Sequence, residues 1–344
     1  MKVVHIISGL RGGGAEHAVL ELCRRSLHDK DVDMSVVSLS AADDISFKFR
    51  QAGIIVSSAS SDKSSKRAIN AFKGFTMLLK HPSNIFHAHM FHACIVACFV
   101  KFFRPRVKII FTLHNNHVPQ LHRQLLMFIF RPLRRADIIF PGMRVKWFQK
   151  KHTIMIPNAV DTTAFLHLQE TKPAIFTCAF IGRLSQEKNP LFLVELAMSL
   201  LPEHNFIIRV AGDGPLKNEL IRRVAHHDLH KHFIIHGHVH DTSLMLSQCH
   251  CLLIPSLWEG MPLVMLEAGA SGIPVIATAV GNIPSILNNN NAFVGDISNF
   301  NKLVIDVMEN YGNALLKARQ LMKIVIEEYD IEQSYARHMK VYWQ

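Results

Sequence analysis

Apolar residues along this chain come in short runs, separated by stretches with helical spacing. Runs at 3–7, 34–39, 54–56, 85–89, 108–113, 136–140 and 153–156 read as buried strands. Between the first two, residues 15–28 set Ala18, Val19, Leu22 and Cys23 on one helical face, and 68–79 and 93–103 also read as helices. After residue 173 the alternation starts again. Strands are expected at 176–181, 206–211, 233–236, 251–254 and 275–278. The helices between them are one capped by Asn189 with Pro190 in its first position, one over 216–226, and a short one from its cap Asp241 to Leu246. Helices over 300–310, 314–329 and 331–343 close the chain. A strand–helix alternation that runs, pauses and restarts implies an α/β protein of two Rossmann-like domains.

The most informative punctuation lies at 255–274, PSLWEGMPLVMLEAGASGIP. A strand ends at Pro255, Trp258-Glu259-Gly260 forms a loop, and Pro262 suits the first position of a helix because its missing N–H would have no partner there. Gly272 suits a left-handed cap, and Pro274 blocks continuation. Two carboxylates result, Glu259 in the loop and Glu267 more than one turn inside. A helix N-terminus offers unpaired N–H groups and partial positive charge to a phosphate. A Glu ahead of it is placed for sugar hydroxyls, and one further in for a ribose. Taken alone, the same residues also fit a surface loop and an ordinary amphipathic helix.

Charge narrows the partners. The 344 residues include 38 basic and 27 acidic side chains, a formal charge of +11, with 22 histidines besides. That balance suits an acidic partner: nucleic acid, an anionic membrane or a phosphorylated substrate. The six cysteines, Cys23, Cys94, Cys98, Cys178, Cys249 and Cys251, sit in apolar surroundings without a CxxC pair and read as free thiols. Cys249 and Cys251 would share a strand face. A reducing cytoplasm is the matching compartment. No run reaches the ~18 apolar residues of a spanning helix, and the N-terminus does not read as a signal peptide.

Three further segments carry candidate chemistry. Residues 9–16, GLRGGGAE, form a glycine turn between strand and helix, with Gly13 and Gly14 able to approach a phosphate; the spacing is not G-x-G-x-x-G, so a nicotinamide dinucleotide is disfavoured. His114 stands at the C-terminal end of a strand, where ligands of open parallel sheets bind, although nearby backbone could equally satisfy it; His87 and His89 are weaker candidates. In 182–190, GRLSQEKNP, Arg183 and Lys188 flank a helix mouth and would neutralise a diphosphate, the alternative being ordinary surface charge.

EGMPLVMLEAGASGIPVIAT closely resembles the E-x7-E signature of the retaining glycosyltransferases with the GT-B fold, the group 1, family 4 enzymes. GLRGGGAE and GRLSQEKN resemble two further segments of that family, with Asn189 where the family has Gly. Residues 156–161, IPNAVD, resemble its interdomain segment with Ala159 for Gly. Gly281-Asn282-Ile283-Pro284-Ser285 lacks the second Gly and the Glu of the corresponding family segment, so no function carries over there.

The resemblance implies a GT-B fold, two Rossmann-like domains facing a cleft. It implies an acceptor domain at 1–157, a linker at 158–173, a donor domain at 174–328, and a C-terminal helix, 329–344, crossing back to the first domain. It implies transfer of a sugar from a nucleotide diphosphate donor, with UDP favoured, to a hydroxyl acceptor with retention, in cell-surface polysaccharide or lipopolysaccharide synthesis. Arg183 and Lys188 would bind the diphosphate, Glu267 the ribose, Glu259 and His114 the sugar, His238 the nucleoside, and Gly13, Gly14, Met261, Pro262 and Leu263 would line the donor site. No metal or other cofactor is expected. A nucleotide-sugar epimerase of the same fold is the alternative enzyme; a nonenzymatic relative or a nucleic-acid binder would leave the Glu pair unexplained. The expected partners are a nucleotide sugar, a glycan or lipid-linked acceptor and an anionic membrane surface, not nucleic acid, with the protein cytoplasmic or peripheral at the inner leaflet. For that surface the sequence offers Lys101, Arg104, Arg106 and Lys108 around Phe102-Phe103, and Arg123, Arg131, Arg134 and Arg135 around 125–130.

Overall fold

Among the described residues every strand pairing is parallel, and the strands fall into two separate sheets. The computed structural model describes all residues except 41–44, 60–66, 115–117, 119, 152, 167–171, 202 and 240, and the side chains of 67 and 68. The chain divides into two compact units, Met1–Asn158 with Ile331–Gln344, and Ala159–Asp330.

The first unit runs β1 (Lys2–Ile7), α1 (Gly14–Ser26), β2 (Asp33–Ser38), α2 (Ser46–Gln51), β3 (Ile55–Ser58), α3 (Arg67–Lys80), β4 (Ile85–His89), α4 (Met90–Phe103), β5 (Lys108–Thr112), α5 (Leu121–Ile129), β6 (Arg134–Ile139) and β7 (Ile154–Met155). Its sheet order is β3-β2-β1-β4-β5-β6-β7, so the winding reverses between β1 and β4. Alternate residues sort into two cores. Val3 and Ile7 of β1 pack with α1, while Val4 and Ile6 pack with α4. Burial on both faces explains why these strands read as unbroken apolar runs.

The second unit holds α6 (Thr163–Leu166), β8 (Phe176–Ile181), α7 (Phe192–Leu200), β9 (Phe206–Ala211), α8 (Lys217–His226), β10 (Phe233–Gly237), α9 (Thr242–Ser247), β11 (Cys251–Ile254), α10 (Leu263–Ala270), β12 (Val275–Thr278), β13 (Phe293–Gly295), α11 (Phe300–Glu309) and α12 (Tyr311–Glu328). Its order, β10-β9-β8-β11-β12-β13, reverses between β8 and β11. The chain enters and leaves this unit at neighbouring points, where Thr162 Oγ1 donates to Asp330 Oδ2 at 2.6 Å.

The last helix, α13 (Ile331–Trp343), belongs to the first unit. Tyr335 donates to Asp29 Oδ2 at 2.9 Å, Arg25 lies over the Tyr335 ring and pairs with Glu332, and Tyr342 is buried with its hydroxyl 2.6 Å from His87 Nδ1.

Several expectations change in detail. Asn189 does not cap α7 through its side chain. It takes a left-handed backbone, φ 53°, and its amide donates to the Pro255 carbonyl at 3.2 Å. That conformation is the reason a glycine suits this position, and Asn tolerates it better than most side-chain-bearing residues. Pro262 precedes α10 as its N-cap residue rather than opening it. Ser57 and Ser58 belong to β3, and most of the polar stretch expected at 57–66 lies outside the described residues. Within the expected linker Thr163–Leu166 is helical, and 167–171 lie outside the described residues. Cys249 precedes β11, so it shares no strand face with Cys251. All six cysteines are buried and free.

Arg134 and Arg135, grouped from sequence with the apolar residues of 125–130, open β6 instead. Arg134 is fully buried, 3.2 Å from Asp137 Oδ2, with its guanidinium over Phe111 and a 2.7 Å bond to the Phe148 carbonyl. Asp137 Oδ2 also accepts from the Lys150 N–H at 2.9 Å. Removing one partner strands a charge in a dry core, so Asp137→Ala is expected to destabilise the protein by about 3–5 kcal/mol in urea unfolding. The double replacement Arg134→Met with Asp137→Leu is expected to cost less, because it leaves no charge unpaired.

Candidate functional site

The reversal of winding between β8 and β11 makes neighbours of two loops that are far apart in sequence. Crevices at such reversals, beyond the carboxyl ends of the strands, are where open parallel sheets bind ligands. The loop after β8 carries Arg183 and Lys188, and the loop after β11 carries Glu259. Lys188 Nζ lies 2.6 Å and 2.8 Å from the two carboxylate oxygens of Glu259. Ser256 Oγ donates to Glu259 Oε1 at 2.7 Å, and the Leu257 N–H donates to the Glu187 carbonyl at 2.8 Å. The Glu259 side chain is only 6% exposed and that of Lys188 is 25% exposed, so the pair is largely withdrawn from water but still open on the lysine side.

A third loop closes in behind Glu259. Gly281 has φ 57°, and a side chain there would place Cβ 1.9 Å from the Glu259 carbonyl oxygen. The next residue, Asn282, donates its backbone N–H to Gly260 O at 3.2 Å, and its side-chain Nδ2 is buried without a partner among the described residues. This accounts for the first glycine of the segment whose function could not be carried over from sequence. A Cβ at Gly212, at the end of β9, would come equally close to Gly182 O. The loops after β8, β9, β11 and β12 are thus packed backbone against backbone.

The remaining second-unit candidates lie on the loop after β8, at and within α10, and beyond β10. Arg183 is exposed, Glu267 is half-buried in the second turn of α10, and His238 is exposed just beyond β10. Met261, Pro262 and Leu263 are buried at the start of α10.

The first unit repeats the topology with different chemistry. The glycine loop follows β1, but its donors meet a carboxylate of the same chain. The backbone N–H groups of Arg11, Gly13 and Glu16 bond the Glu16 side chain, whose pKa is nevertheless raised because burial outweighs those bonds. A Cβ at Gly13 would meet Glu16 Oε2 at 2.7 Å and displace the end of that side chain; Gly14 faces open space. At the end of β4, Met90 holds φ 68°, a conformation that costs a non-glycine residue about 1 kcal/mol or more.

Beside it lies a group of which the sequence offered His87 and His89, as weaker candidates, but not His5. His5, His87 and His89 share the sheet face that α13 covers, and their ring nitrogens come within 4.8 Å of one another. Among the described residues all of those nitrogens except His5 Nε2 are engaged. His5 Nδ1 is 2.9 Å from His89 Nε2, and His89 Nδ1 is 2.8 Å from His114 Nε2. His87 reaches Tyr342 on one side and Thr112 Oγ1, at 2.7 Å, on the other. The signal available in sequence was the alternation His87-Ala88-His89, which puts both rings on one strand face.

Comparison with known proteins follows the same division. Residues 167–323 match the family model described as glycosyl transferases group 1, and residues 12–164 match that described as glycosyltransferase family 4. The chain belongs to the group 1, family 4 glycosyltransferases and has the GT-B fold. Among curated relatives, the Escherichia coli UDP-Gal:alpha-D-GlcNAc-diphosphoundecaprenol alpha-1,3-galactosyltransferase is 32% identical over 179 residues, 47% of this chain and 44% of that one. An Arabidopsis thaliana phosphatidylinositol N-acetylglucosaminyltransferase subunit is 34% identical over 145 residues, 39% of this chain and 31% of that one. The matched stretches span less than half the length of these relatives. In fold, the chain is similar to Anabaena Alr3699/HepE in complex with UDP and glucose, at a TM-score of 0.81 and 16% identity over 99% of both chains. The lipopolysaccharide outer core galactosyltransferase WaaB aligns at 0.71 and 14% identity, over 100% of this chain and 99% of that one.

The histidine group makes the first unit sensitive to acid. Burial drives the pKa of His5 down to about 3 and those of His114 and His338 to about 4, and holds His87 and His89 well below their ordinary value. The unfolded chain therefore binds protons that the folded chain does not, and stability present above pH 6.5 is lost as pH falls toward 4. Each histidine steepens that loss by up to about 1.4 kcal/mol per pH unit. Near-UV circular dichroism against pH is expected to show cooperative unfolding beginning below pH 6.5, and His5→Phe is expected to move the midpoint to lower pH.

Proposed function

We propose that this chain transfers a hexosyl or N-acetylhexosaminyl group from a nucleoside diphosphate sugar, with UDP favoured, to a hydroxyl acceptor, with retention at the anomeric carbon, in the assembly of a cell-surface polysaccharide or lipopolysaccharide. The observation that carries this reading is the Lys188–Glu259 pair at the β8–β11 reversal, with Arg183 on the same loop. An ammonium has three donors. Two are spent on Glu259, leaving a third for a diphosphate oxygen. Glu259 in turn keeps lone pairs for a sugar hydroxyl. Arg183, Lys188 and the positive end of α10 stabilise the charge that develops on the departing nucleoside diphosphate, a task that other sites give to a metal ion. Glu267 takes the ribose hydroxyls, and His114 the transferred sugar. The names of the E. coli, Arabidopsis and WaaB proteins support a hexosyl or N-acetylglucosaminyl donor and an acceptor bound to a lipid or polysaccharide.

A donor panel read by release of UDP, GDP or ADP tests the reaction. Calorimetry with the free nucleoside diphosphate tests the division of labour. Arg183→Ala and Lys188→Ala are each expected to weaken binding about tenfold to a hundredfold, since a charge-assisted contact contributes ~1.5–3 kcal/mol. Glu267→Gln is expected to weaken it as well. Glu259→Gln is expected to leave that affinity intact while reducing transfer. Equal loss in both Glu variants removes the assignment.

A lipid-linked acceptor calls for a membrane-facing surface, and the first unit has the chemistry for an anionic one. Phe102 and Phe103 at the end of α4, and Leu121, Leu125 and Ile129 on α5, are each more than half exposed. Arg106 is exposed nearby, Arg123 lies over Phe91 and Arg131 over Phe128. Three basic residues named from sequence drop out: Arg134 is in the core, Arg104 is spent on the carbonyls of Leu78, His81 and Ser83, and Lys101 on that of Val107. Each basic residue near an anionic surface contributes roughly 1 kcal/mol, screened by salt. Sedimentation with anionic but not neutral vesicles is expected, falling as salt rises. The triple variant Arg106→Glu, Arg123→Glu, Arg131→Glu is expected to lose most of it, and equal sedimentation with both vesicle types refutes the docking surface.

A further inference from the structure

Outside the candidate site, the first unit has a cavity of about 540 Å³ at the margin of its sheet. One wall is α13, which presents Arg337, Lys340 and Val341 to it at the spacing of a single helical face. The other wall is Arg135 and Ala136 at the start of β6, with Ile156 just beyond β7. β7 pairs only with Ile138 and Ile139, so the first half of β6 has no strand beside it on that edge, and the cavity opens at the gap.

The lining is sorted by depth. Ala136, Ile156 and Val341 are buried and make an apolar floor. Arg135 and Lys340 are exposed and Arg337 is half-buried, so the cations stand at the rim. Among the described residues no carboxylate side chain lines the cavity. Arg135 Nη2 donates to the Gln344 carbonyl oxygen at 3.0 Å, which ties the guanidinium to the end of α13. A guanidinium has five N–H donors, and this bond uses one of them. Charged side chains also guard open sheet edges against pairing. That role accounts for a cation on the strand; it does not account for two more on the helix opposite, lining the same cavity. Like charges set around one space repel one another, and an anion placed among them relieves that repulsion.

We propose that this cavity binds an anionic amphiphile, with an aliphatic chain on the floor and a phosphate monoester at the rim. The volume lies within the roughly 300–1,000 Å³ of small-molecule sites, which are mostly apolar with a few convergent polar groups. Arg135 and Arg337 offer planar forks to the phosphate oxygens, and Lys340 a point charge. None of these residues belongs to the candidate site, so the inference does not depend on the proposed reaction.

The test is calorimetry on the full chain with dodecyl phosphate below its micelle concentration, beside inorganic phosphate and the neutral tetraethylene glycol monododecyl ether. Dodecyl phosphate is expected to bind at least about tenfold more tightly than either. Arg135→Glu with Lys340→Glu changes exposed side chains and is expected to weaken it about tenfold or more. Lys302→Glu with Arg319→Glu makes the same change of charge on exposed residues of the second unit and is expected to leave it unaltered. In methyl NMR, Ile154 and Ile156 are expected to shift on titration while Ile208 and Ile276 of the second unit do not, and the same spectra check that each variant is folded. Equal affinity for inorganic phosphate, equal affinity for the ether, equal loss in both double variants, or shifts confined to the second unit overturns the inference. Sedimentation with vesicles of phosphatidic acid in phosphatidylcholine then separates the sources. Loss of the vesicles in the first double variant but not in the second assigns the site to a bilayer lipid; loss of dodecyl phosphate alone assigns it to a free amphiphile.

Discussion

The ion pair between Lys188 and Glu259 is the contact on which the second unit's candidate site depends. Parallel winding with a reversal brings the ends of β8 and β11 together, but strand pairing ends before the loops begin. The loops are joined instead by this pair, by Asn189 reaching the Pro255 carbonyl, and by the Leu257 N–H on the Glu187 carbonyl. Low exposure strengthens the attraction, because nearby water is what weakens it. The same low exposure makes each partner costly to leave alone. On the proposed reading, a ligand diphosphate would share Lys188 with Glu259 more cheaply than it would take the lysine away.

The two units solve the same topological problem with opposite electrostatics. In the second, opposite charges meet at the reversal and neutralise each other in place. In the first, the reversal between β1 and β4 is lined by neutral imidazoles, and the charged pair, Arg134 with Asp137, lies further along the sheet, on β6. The formal surplus of +11 is thus not one surface. Arg134 is balanced in the core by Asp137, Lys101 and Arg104 are spent on backbone carbonyls, and other basic side chains rim the exposed aromatic and aliphatic side chains of α4 and α5. No helix among the described residues is long and apolar enough to cross a membrane.

Features legible in the residue order were local and periodic. The strands at 85–89, 176–181, 206–211, 251–254 and 275–278, the cap at Asp241 and the left-handed Gly272 follow from neighbours within a few positions, and all are found as expected. The motifs around Arg183, Lys188, Glu259 and Glu267 were legible for the same reason, since each lies within one loop or one helix. Which side chains meet was settled by tertiary packing alone. His5 and His89 are 84 positions apart, and Lys188 and Glu259 are 71. Nothing in a local window distinguishes Arg134, buried against Asp137, from Arg131 on the surface three residues earlier. Asn189 looked like a helix cap because caps and left-handed turns favour the same small polar residue, and only its backbone torsion separates the two. Periodicity records which face of an element is dry; which polar group crosses to another element is set by strand order, and strand order here reverses at the two places where the chemistry is gathered.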